Sequence, residues 1–274
     1  MIYLLITTLF SQTPIDFADH LYATGDFQRA ALEYERIGFM LETDTPLASY
    51  ALLRAGESLL RQGERERASQ IYSAGLGKFK DDEHRYTYGL IRSSFPEGKY
   101  IQVDTLAANL EGTELNRQGT VYRSFALAFA GDTAGAVQHF ASLQETLPGN
   151  AALRLIRTPP RHRSPFFIAT LSTVLPGAGQ AYCGRWGDAW QSFSVTALMT
   201  GAGVYYLAFS QDSTSANTVK GIVFTSLGGL FWLGNIYGAV NAALDYNEYE
   251  ERKRTEQLYN LMKQFDLDVE IKRP

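Results

Sequence analysis

The chain has 274 residues, a mass of 30.5 kDa and a formal net charge of −4, from 25 basic and 29 acidic residues. This balance gives no basic field that would favour nucleic acid, so we expect no nucleic-acid partner. The single cysteine excludes an internal disulfide framework and a metal site built from clustered cysteines. The mean hydropathy of −0.17 is that of an ordinary soluble protein, but this average conceals two very different parts.

Residues 1–12, with the sequence MIYLLITTLFSQ, carry no charged side chain. This stretch is too short to cross a bilayer, for which a helix needs about 20 apolar residues. An apolar run followed by small and polar residues and Pro14 is typical of a compact secretory signal, although no lysine or arginine precedes it. We therefore predict a signal peptide over residues 1–12, with an apolar helix docked on the following domain as the alternative.

Glycines recur at steps of 38, 35 and 33 residues through the charged first part of the chain: Gly25, Gly63, Gly98 and Gly131. Five and nine residues after three of them come an alanine and an aromatic residue: Ala30 and Tyr34, Ala68 and Tyr72, Ala136 and Phe140. The third unit departs from this pattern, with Val103 and Ala107 at those positions. A glycine lets the chain turn between two helices, and the aromatic side chain fills the gap to the next hairpin.

This pattern, with a period of about 34 residues, resembles the tetratricopeptide repeat and covers residues 13–157. The resemblance implies an α-solenoid, although a generic array of helical hairpins would give a similar pattern. Such arrays present a concave groove, lined by the first helix of each hairpin, that can bind a peptide or a partner protein. In this register the groove candidates are Asp19, Tyr22, Glu57, Arg61, Phe125 and Phe129.

A basic linker with two prolines, residues 158–163, precedes three windows of more than 20 residues without a charged side chain: 164–184, 189–211 and 221–244. Such windows match the hydrocarbon thickness of a bilayer, so the lipid bilayer is a predicted partner. The second and third windows predict transmembrane helices. The first is interrupted by Leu-Pro-Gly-Ala-Gly, so it is either a full span or a broken, re-entrant segment.

The first window contains the run Pro-Gly-x-Gly-Gln-x-Tyr-x-Gly-Arg, formed by Pro176, Gly177, Gly179, Gln180, Tyr182, Gly184 and Arg185. With the closing segment 234–247 it resembles small bacterial membrane domains that are often found behind tetratricopeptide repeats. The resemblance implies a compact helical membrane module over residues 164–250, followed by a charged tail over residues 251–274, and brings no activity with it. Proline and glycines would break the helix, and Gln180 could bond the exposed carbonyls.

Small residues four apart predict close helix packing in the last window: Gly234, Gly238 and Ala242. Asn235 and Asn241 would need hydrogen-bond partners within the bundle, and contacts with other membrane subunits or a second copy are open alternatives. No histidine has the spacing of a helical zinc motif, and no nucleophile with an oriented base is recognisable. We therefore expect no enzyme activity, no metal and no cofactor.

The sequence thus predicts an all-α chain, a tetratricopeptide-like α-solenoid followed by a two- or three-helix membrane module. The leading hypothesis is a membrane-anchored scaffold whose repeats bind a protein or peptide. The alternative is an accessory factor in membrane-protein or envelope biogenesis that acts through the broken helix. Basic residues 252–254 favour a cytoplasmic tail in a bacterial inner membrane. A spanning first window would place the repeats in the periplasm, which we expect, and a re-entrant window would place them in the cytoplasm.

Overall fold

The computed structural model describes residues 13–41, 45–210 and 215–274, so the predicted signal peptide lies outside the described residues. Within these ranges the regular elements are all helical and no strand occurs, which confirms the all-α prediction. The chain divides into two compact units. The first unit comprises Met1–Thr158 together with Leu258–Pro274, and the second comprises Pro159–Gln257.

The first unit is built from short helices that follow one another closely. They are α1 (Pro14–Ala23), α2 (Phe27–Met40), α3 (Pro46–Gln62), α4 (Arg65–Gly75), α5 (Glu83–Ser94), α6 (Tyr100–Ala108), α7 (Asn116–Phe129), α8 (Thr133–Ala141) and α9 (Leu147–Arg157). Single 3₁₀ turns, Lys80–Asp82 and Phe95–Glu97, flank α5. The side chains of Thr13, Thr45 and Thr146 cap α1, α3 and α9, and each of these helices has a proline in its first turn.

The four recurring glycines form the turns between the paired helices of this unit. Gly25, Gly63, Gly98 and Gly131 all have a positive φ, between 74° and 85°. This left-handed conformation costs glycine little because it has no Cβ. Consecutive helices from α1 to α9 pack against each other in chain order.

The residues predicted to fill these hairpins are buried in every case: Ala30, Tyr34, Ala68, Tyr72, Val103, Ala107, Ala136 and Phe140. Tyr72 shows how the aromatic position works. A Cβ on Gly56 of α3 or on Gly89 of α5 would lie 2.5 Å from the Tyr72 ring. The ring therefore fits between neighbouring helices only because both positions are glycine.

The second unit contains α10 (Pro165–Val174), α11 (Ala178–Tyr182), α12 (Trp186–Val204) and most of α13 (Ser215–Met262). A π-helical turn, Tyr205–Phe209, extends α12. By length and composition, Trp186–Phe209 and Ser215–Met262 are each long and apolar enough to cross a membrane. These are the helices predicted from the second and third uncharged windows. In contrast, α10 has 10 residues and a length of about 15 Å, half of the hydrocarbon thickness.

Candidate functional site

The C-terminal tail, Leu258–Pro274, packs on the helices of the first unit and belongs to that unit. Leu258, Met262 and Phe265 are buried in the apolar core formed by the later helices. From Phe265 to Arg273, each contacting residue of the tail meets a partner that lies earlier in the sequence than the previous partner. These partners are, in order, Phe125, Tyr88, Arg61, Arg54, and Asp19 with Asp16. The tail therefore runs in the direction opposite to the order of the helices. We call the six partner residues, from Phe125 to Asp16, the tail surface.

Two of the tail contacts are made to main-chain carbonyls. The Tyr88 hydroxyl donates to the carbonyl of Leu267, and Arg54 Nη2 donates to the carbonyl of Ile271 at 3.0 Å. Residues 266–274 form no helix, and Leu267, Val269 and Ile271 are half-buried while the residues between them are exposed. This period of two is that of an extended segment. Because the carbonyl contacts do not depend on side-chain identity, the surface fits extended chain in general.

An acidic pair receives the last basic side chain of the tail. Arg273 Nη1 lies 2.5 Å from Asp16 Oδ1 and 3.5 Å from Asp19 Oδ2. The hydroxyls of Tyr34 and Tyr50 donate to Asp19 Oδ1 at 2.5 and 2.7 Å and hold this carboxylate in place. The hydrogen bond from Thr13 and then that from Arg273 lower the pKa of Asp16 to about 2. Asp16 is therefore ionised at neutral pH and attracts a cation.

Glu57 is a buried carboxylate next to the tail surface. Arg92 binds it through both Nη atoms, and Arg61 Nε donates to it at 3.1 Å. Burial alone would raise the pKa of Glu57, but the positive charges of Arg92 and Arg61 hold it below its ordinary value. The two arginines thus stabilise the negative charge of the buried Glu57 carboxylate. Arg61 also lies 4.0 Å from Asp268 of the tail.

The six groove candidates have different surroundings. Asp19 and Arg61 contact the tail through ion pairs, and the Tyr22 ring lies 4.7 Å from the Arg54 guanidinium carbon. Phe125 has no exposed surface and packs on the tail at a ring distance of 6.0 Å from Phe265. Phe129 belongs to the same aromatic cluster, and Glu57 reaches the tail only through Arg61.

Sequence reasoning missed the two donors to the tail carbonyls, Arg54 and Tyr88. Neither residue belongs to the repeated glycine, alanine and aromatic positions. Their role arises because the distant segment 266–274 lies over them, and no local pattern reports such a contact.

The first uncharged window, residues 164–184, turns back on itself. The Arg163 guanidinium carbon lies 4.8 Å from the Tyr182 ring centre and 3.7 Å from that of Tyr246. The amide of Asn247 also bonds the backbone N–H and carbonyl of Arg163, at 2.7 and 3.0 Å. Residues at both ends of the window therefore lie close to the same part of α13, at Tyr246 and Asn247. Residues 164–184 form a short helical hairpin, α10 and α11, instead of one continuous helix.

Side chains bind the backbone groups that this hairpin leaves unpaired at its tip. Asn235 of α13 accepts from the Gly177 N–H at 2.8 Å and donates to the Ser172 carbonyl at 3.1 Å. The Ser172 hydroxyl accepts from the Gly179 N–H at 2.9 Å and donates to Gln180 at 3.1 Å. Gln180 in turn donates to the Asn235 carbonyl at 3.0 Å and to its side-chain oxygen at 3.1 Å. The broken helix ends are thus satisfied inside the protein, as an apolar environment requires.

Close contacts at the hairpin tip leave no room for a side chain at two of the motif glycines. Gly177, which follows Pro176, has a φ of 88°, and a Cβ there would lie 2.2 Å from the Ala189 carbonyl oxygen. A Cβ on Gly179 would lie 2.5 Å from the Ser172 hydroxyl. Gly184 has a φ of 81° and turns the chain into α12.

Arg185, the last residue of the motif, holds charged partners at the end of the hairpin. It pairs with Asp188 at 2.6 Å and with Asp245 of α13 at 2.9 Å. Tyr182 stacks edge-on with Phe167 of α10 at a ring distance of 5.9 Å. These contacts join the start of α12 to both the hairpin and α13.

The small residues of the predicted stripe on α13 have different surroundings within the chain. Ala242 is buried together with its neighbours Ala239 and Ala243, whereas Gly234 is exposed and no atom lies within 4 Å of a Cβ built on it. Gly238 has the Gln180 amide 3.4 Å from such a Cβ, and Asn241 is half-buried.

Close contacts between α12 and α13 occur at other glycines. A Cβ on Gly203 would lie 2.3 Å from Thr225 Oγ1, and one on Gly228 would lie 2.6 Å from Thr200 Oγ1. Each glycine therefore receives a threonine of the facing helix. Gly234 has no such partner among the described residues, since periodicity identifies a stripe but not the helix that lies against it.

A polar cavity of about 380 Å³ lies between α12 and α13. Its lining includes Gln180, Asn235, Arg185 and Thr196. The Thr196 hydroxyl is buried and has no hydrogen-bond partner among the described residues. Within residues 13–41, 45–210 and 215–274, no group of three or more potential metal-binding side chains occurs.

We compared the chain with families and proteins of known kind. No family model, curated protein or solved structure matches it. The geometry of the two units is therefore the basis for the functional proposals that follow.

Proposed function

We propose that this protein is a membrane-anchored scaffold whose repeat helices form an α-solenoid that binds an extended segment of a protein partner. The observation that carries this proposal is the tail surface, which already holds nine residues of extended chain, 266–274, in part through its carbonyl groups. Two helices of sufficient length and hydropathy supply the anchor. The positive φ of the repeat glycines and the buried alanine and aromatic positions support a repeat array of the tetratricopeptide type.

We further propose that the repeats and the tail share the cytoplasmic side of a bacterial inner membrane. Two crossings, by α12 and α13, return the chain to the side from which it started. The packing of Leu258–Pro274 with the helices of the first unit supports the same placement. Residues 252–254 are basic, which favours the cytoplasm for this side. This topology replaces the expectation of periplasmic repeats, which required a third crossing by residues 164–184.

Cysteine labelling of intact cells tests the topology. In a Cys183→Ala background, single cysteines are placed at Gln28, which is exposed on α2, or at Ser215, at the start of α13. We expect a membrane-impermeant maleimide to label position 215 in intact cells and position 28 only after permeabilisation. Labelling of position 28 from outside would refute the cytoplasmic placement of the repeats.

Photo-crosslinking in native membranes tests the scaffold. A photoreactive amino acid replaces Arg61 on the tail surface or, as the matched control, Glu66, which is exposed on α4. We expect position 61, but not 66, to crosslink to a second polypeptide. That polypeptide should sediment with membranes and become soluble in cells that lack the full chain. Crosslinks equal at both positions, or confined to lipid and to the chain's own tail, would contradict the proposal.

A second candidate function is an accessory factor in membrane-protein or envelope biogenesis. The observation that favours it is the polar cavity beside the hairpin, with the unpaired hydroxyl of Thr196 in its wall. Such a cavity between apolar helices could receive a polar group of a substrate polypeptide or lipid. In cells, Thr196→Val would then impair growth or envelope integrity while leaving the crosslink from position 61 intact. A scaffold would tolerate the same substitution.

A further inference from the structure

The tail consists of two parts that are held very differently. Leu258, Met262 and Phe265 are each less than 9% exposed and form part of the apolar core. In residues 266–274, in contrast, the apolar side chains are only half-buried and the acidic ones are exposed. The first part is therefore a structural element of the unit, and the second is a segment that lies on its surface.

Few interactions hold the surface segment. Arg273 and Asp16 are both more than a third exposed, and an exposed ion pair contributes only about 0–1 kcal/mol to stability. Arg61 and Asp268 are 4.0 Å apart, and Asp268 is largely exposed. Two hydrogen bonds to the carbonyls of Leu267 and Ile271 and the packing of three half-buried apolar side chains complete its contacts. Such a segment can leave the surface without unfolding the helices beneath it.

The contacts also define the kind of segment that fits. Donors at Tyr88 and Arg54 meet carbonyls four residues apart on a segment that forms no helix. Apolar side chains are received at every second position, and the carboxylates of Asp16 and Asp19 receive a basic side chain two residues after the last of them. An open cavity of about 730 Å³ lies between the last residues of the tail, from Ile271 to Pro274, and the helices beneath them.

We propose that the tail surface binds extended peptides with apolar side chains at three alternate positions and a basic side chain two residues further on, and that residues 266–274 occupy this surface as a displaceable, autoinhibitory ligand. This inference rests on the proposed function for the existence of a peptide partner, and it adds the sequence preference and the regulation of the same site. A competing segment on the same chain has an effective concentration of the order of millimolar. In the full chain, a free peptide with the tail's own sequence should therefore need about millimolar concentrations for half-saturation, as long as its intrinsic Kd is lower than this effective concentration.

The test uses a fluorescent peptide with the sequence of residues 266–274, DLDVEIKRP, and anisotropy measurements in detergent micelles. The receptors are the full chain and a chain that ends at Phe265. We expect the shortened chain to bind the peptide at least about tenfold more tightly than the full chain. Arg54→Met in the shortened chain should weaken this binding, because the donor to the Ile271 carbonyl is lost.

Peptide variants test the proposed preference. A peptide with Arg273→Glu, or with Ile271→Asp, should bind the shortened chain at least tenfold more weakly. The matched control is Glu270→Gln, which changes an exposed side chain and should leave the affinity unchanged. Equal binding of all four peptides, or none by the unchanged peptide, overturns the proposal.

A second receptor serves as a control for misfolding of the shortened chain. The full-length double variant Ile271→Asp, Arg273→Glu keeps Phe265 and its core contacts and should bind the unchanged peptide like the shortened chain. A full-length dimer that dissociates on shortening would show that the tail occupies a second copy, and would overturn the autoinhibitory part.

The outcomes separate this inference from the scaffold proposal. If the peptide binds and the tail competes with it, but no partner crosslinks from position 61 of either the full or the shortened chain, the scaffold proposal fails, whereas the peptide preference and its competition with the tail stand. If a partner crosslinks from position 61 equally well in the full and the shortened chain, the scaffold stands and autoinhibition fails.

Discussion

Gln180 donates one amide group to both the carbonyl and the side-chain oxygen of Asn235, at 3.0 and 3.1 Å. The two residues are 55 positions apart, and both side chains are buried. Through this pair the tip of the hairpin is joined to the middle of α13. The glutamine of the motif therefore connects two segments: its amide bonds the Asn235 carbonyl of α13, whereas Asn235 bonds the Ser172 carbonyl of the broken helix.

Asn235→Leu should destabilise the second unit. The substitution leaves the Gly177 N–H, the Ser172 carbonyl and part of the Gln180 amide without a partner. An unsatisfied buried group costs about 1–3 kcal/mol, so we expect a lower midpoint of thermal unfolding in detergent. The control is Asn241→Leu, on the same helix, because Asn241 makes no hydrogen bond within the described ranges. Equal effects of the two substitutions would contradict a special role of Asn235.

Gly179→Ala should also destabilise this unit, by about 1–3 kcal/mol, because the added methyl group has no room. Its Cβ would lie 2.5 Å from Ser172 Oγ and 2.9 Å from the Ala239 side chain. Gly234→Ala serves as control and should be neutral or stabilising by up to about 1 kcal/mol, since alanine favours helix. The two unfolding midpoints, measured side by side, decide the matter. A larger loss of stability in Gly234→Ala than in Gly179→Ala would support the predicted packing at Gly234.

Stability of the first unit should fall in acid because of Glu57. Its pKa in the folded chain is below the ordinary value of 4.5, so the unfolded state binds the proton more readily. The contribution is fully present above pH 4.5 and is lost as the pH falls from there through the lower pKa of the folded state. Denaturant unfolding of the full chain between pH 7 and pH 3 should show this loss.

Glu57→Gln should abolish that part of the acid sensitivity and destabilise the chain at pH 7. Removing one partner of a buried pair leaves the Arg92 charge uncompensated, at a cost of about 3–5 kcal/mol. Glu66→Gln, at an exposed position of α4, is the control and should leave both stability and pH profile unchanged. An unaltered acid slope in Glu57→Gln would show that other carboxylates dominate.

The rate of amide hydrogen exchange should differ between the two parts of the tail, with the boundary at Phe265. Amides from Leu258 to Phe265 should exchange as slowly as those of the core of α7, because Leu258, Met262 and Phe265 anchor this part of the tail in the apolar core. Amides of residues 266–274 should exchange far faster, since local opening free energies range from about 0 for loosely held segments to the global value for the core. Mass spectrometry of peptic fragments measures both. Uniform protection along the tail would contradict a displaceable segment.

Much of the first unit could be predicted because its pattern is local and repeated. The glycines from Gly25 to Gly131 lie at turns, and positions such as Tyr72 and Phe140 are buried, as the repeat register indicates. Turn conformation and helix periodicity depend on neighbours within a few residues, so the sequence reports them directly. The two long apolar helices were predictable for the same reason, since length and hydropathy are properties of a continuous segment.

The candidate sites depend on contacts between distant residues. The sequence alone determined that the last residues form a charged tail, but only the tertiary structure decided that Ile271 lies against Arg54, 217 positions away. Likewise, the broken motif left a full span and a re-entrant segment open, and the proximity of Arg163 to Tyr182 decided for the hairpin. Periodicity tells which side of a helix is buried, but the partner that covers it is chosen by packing of the whole chain.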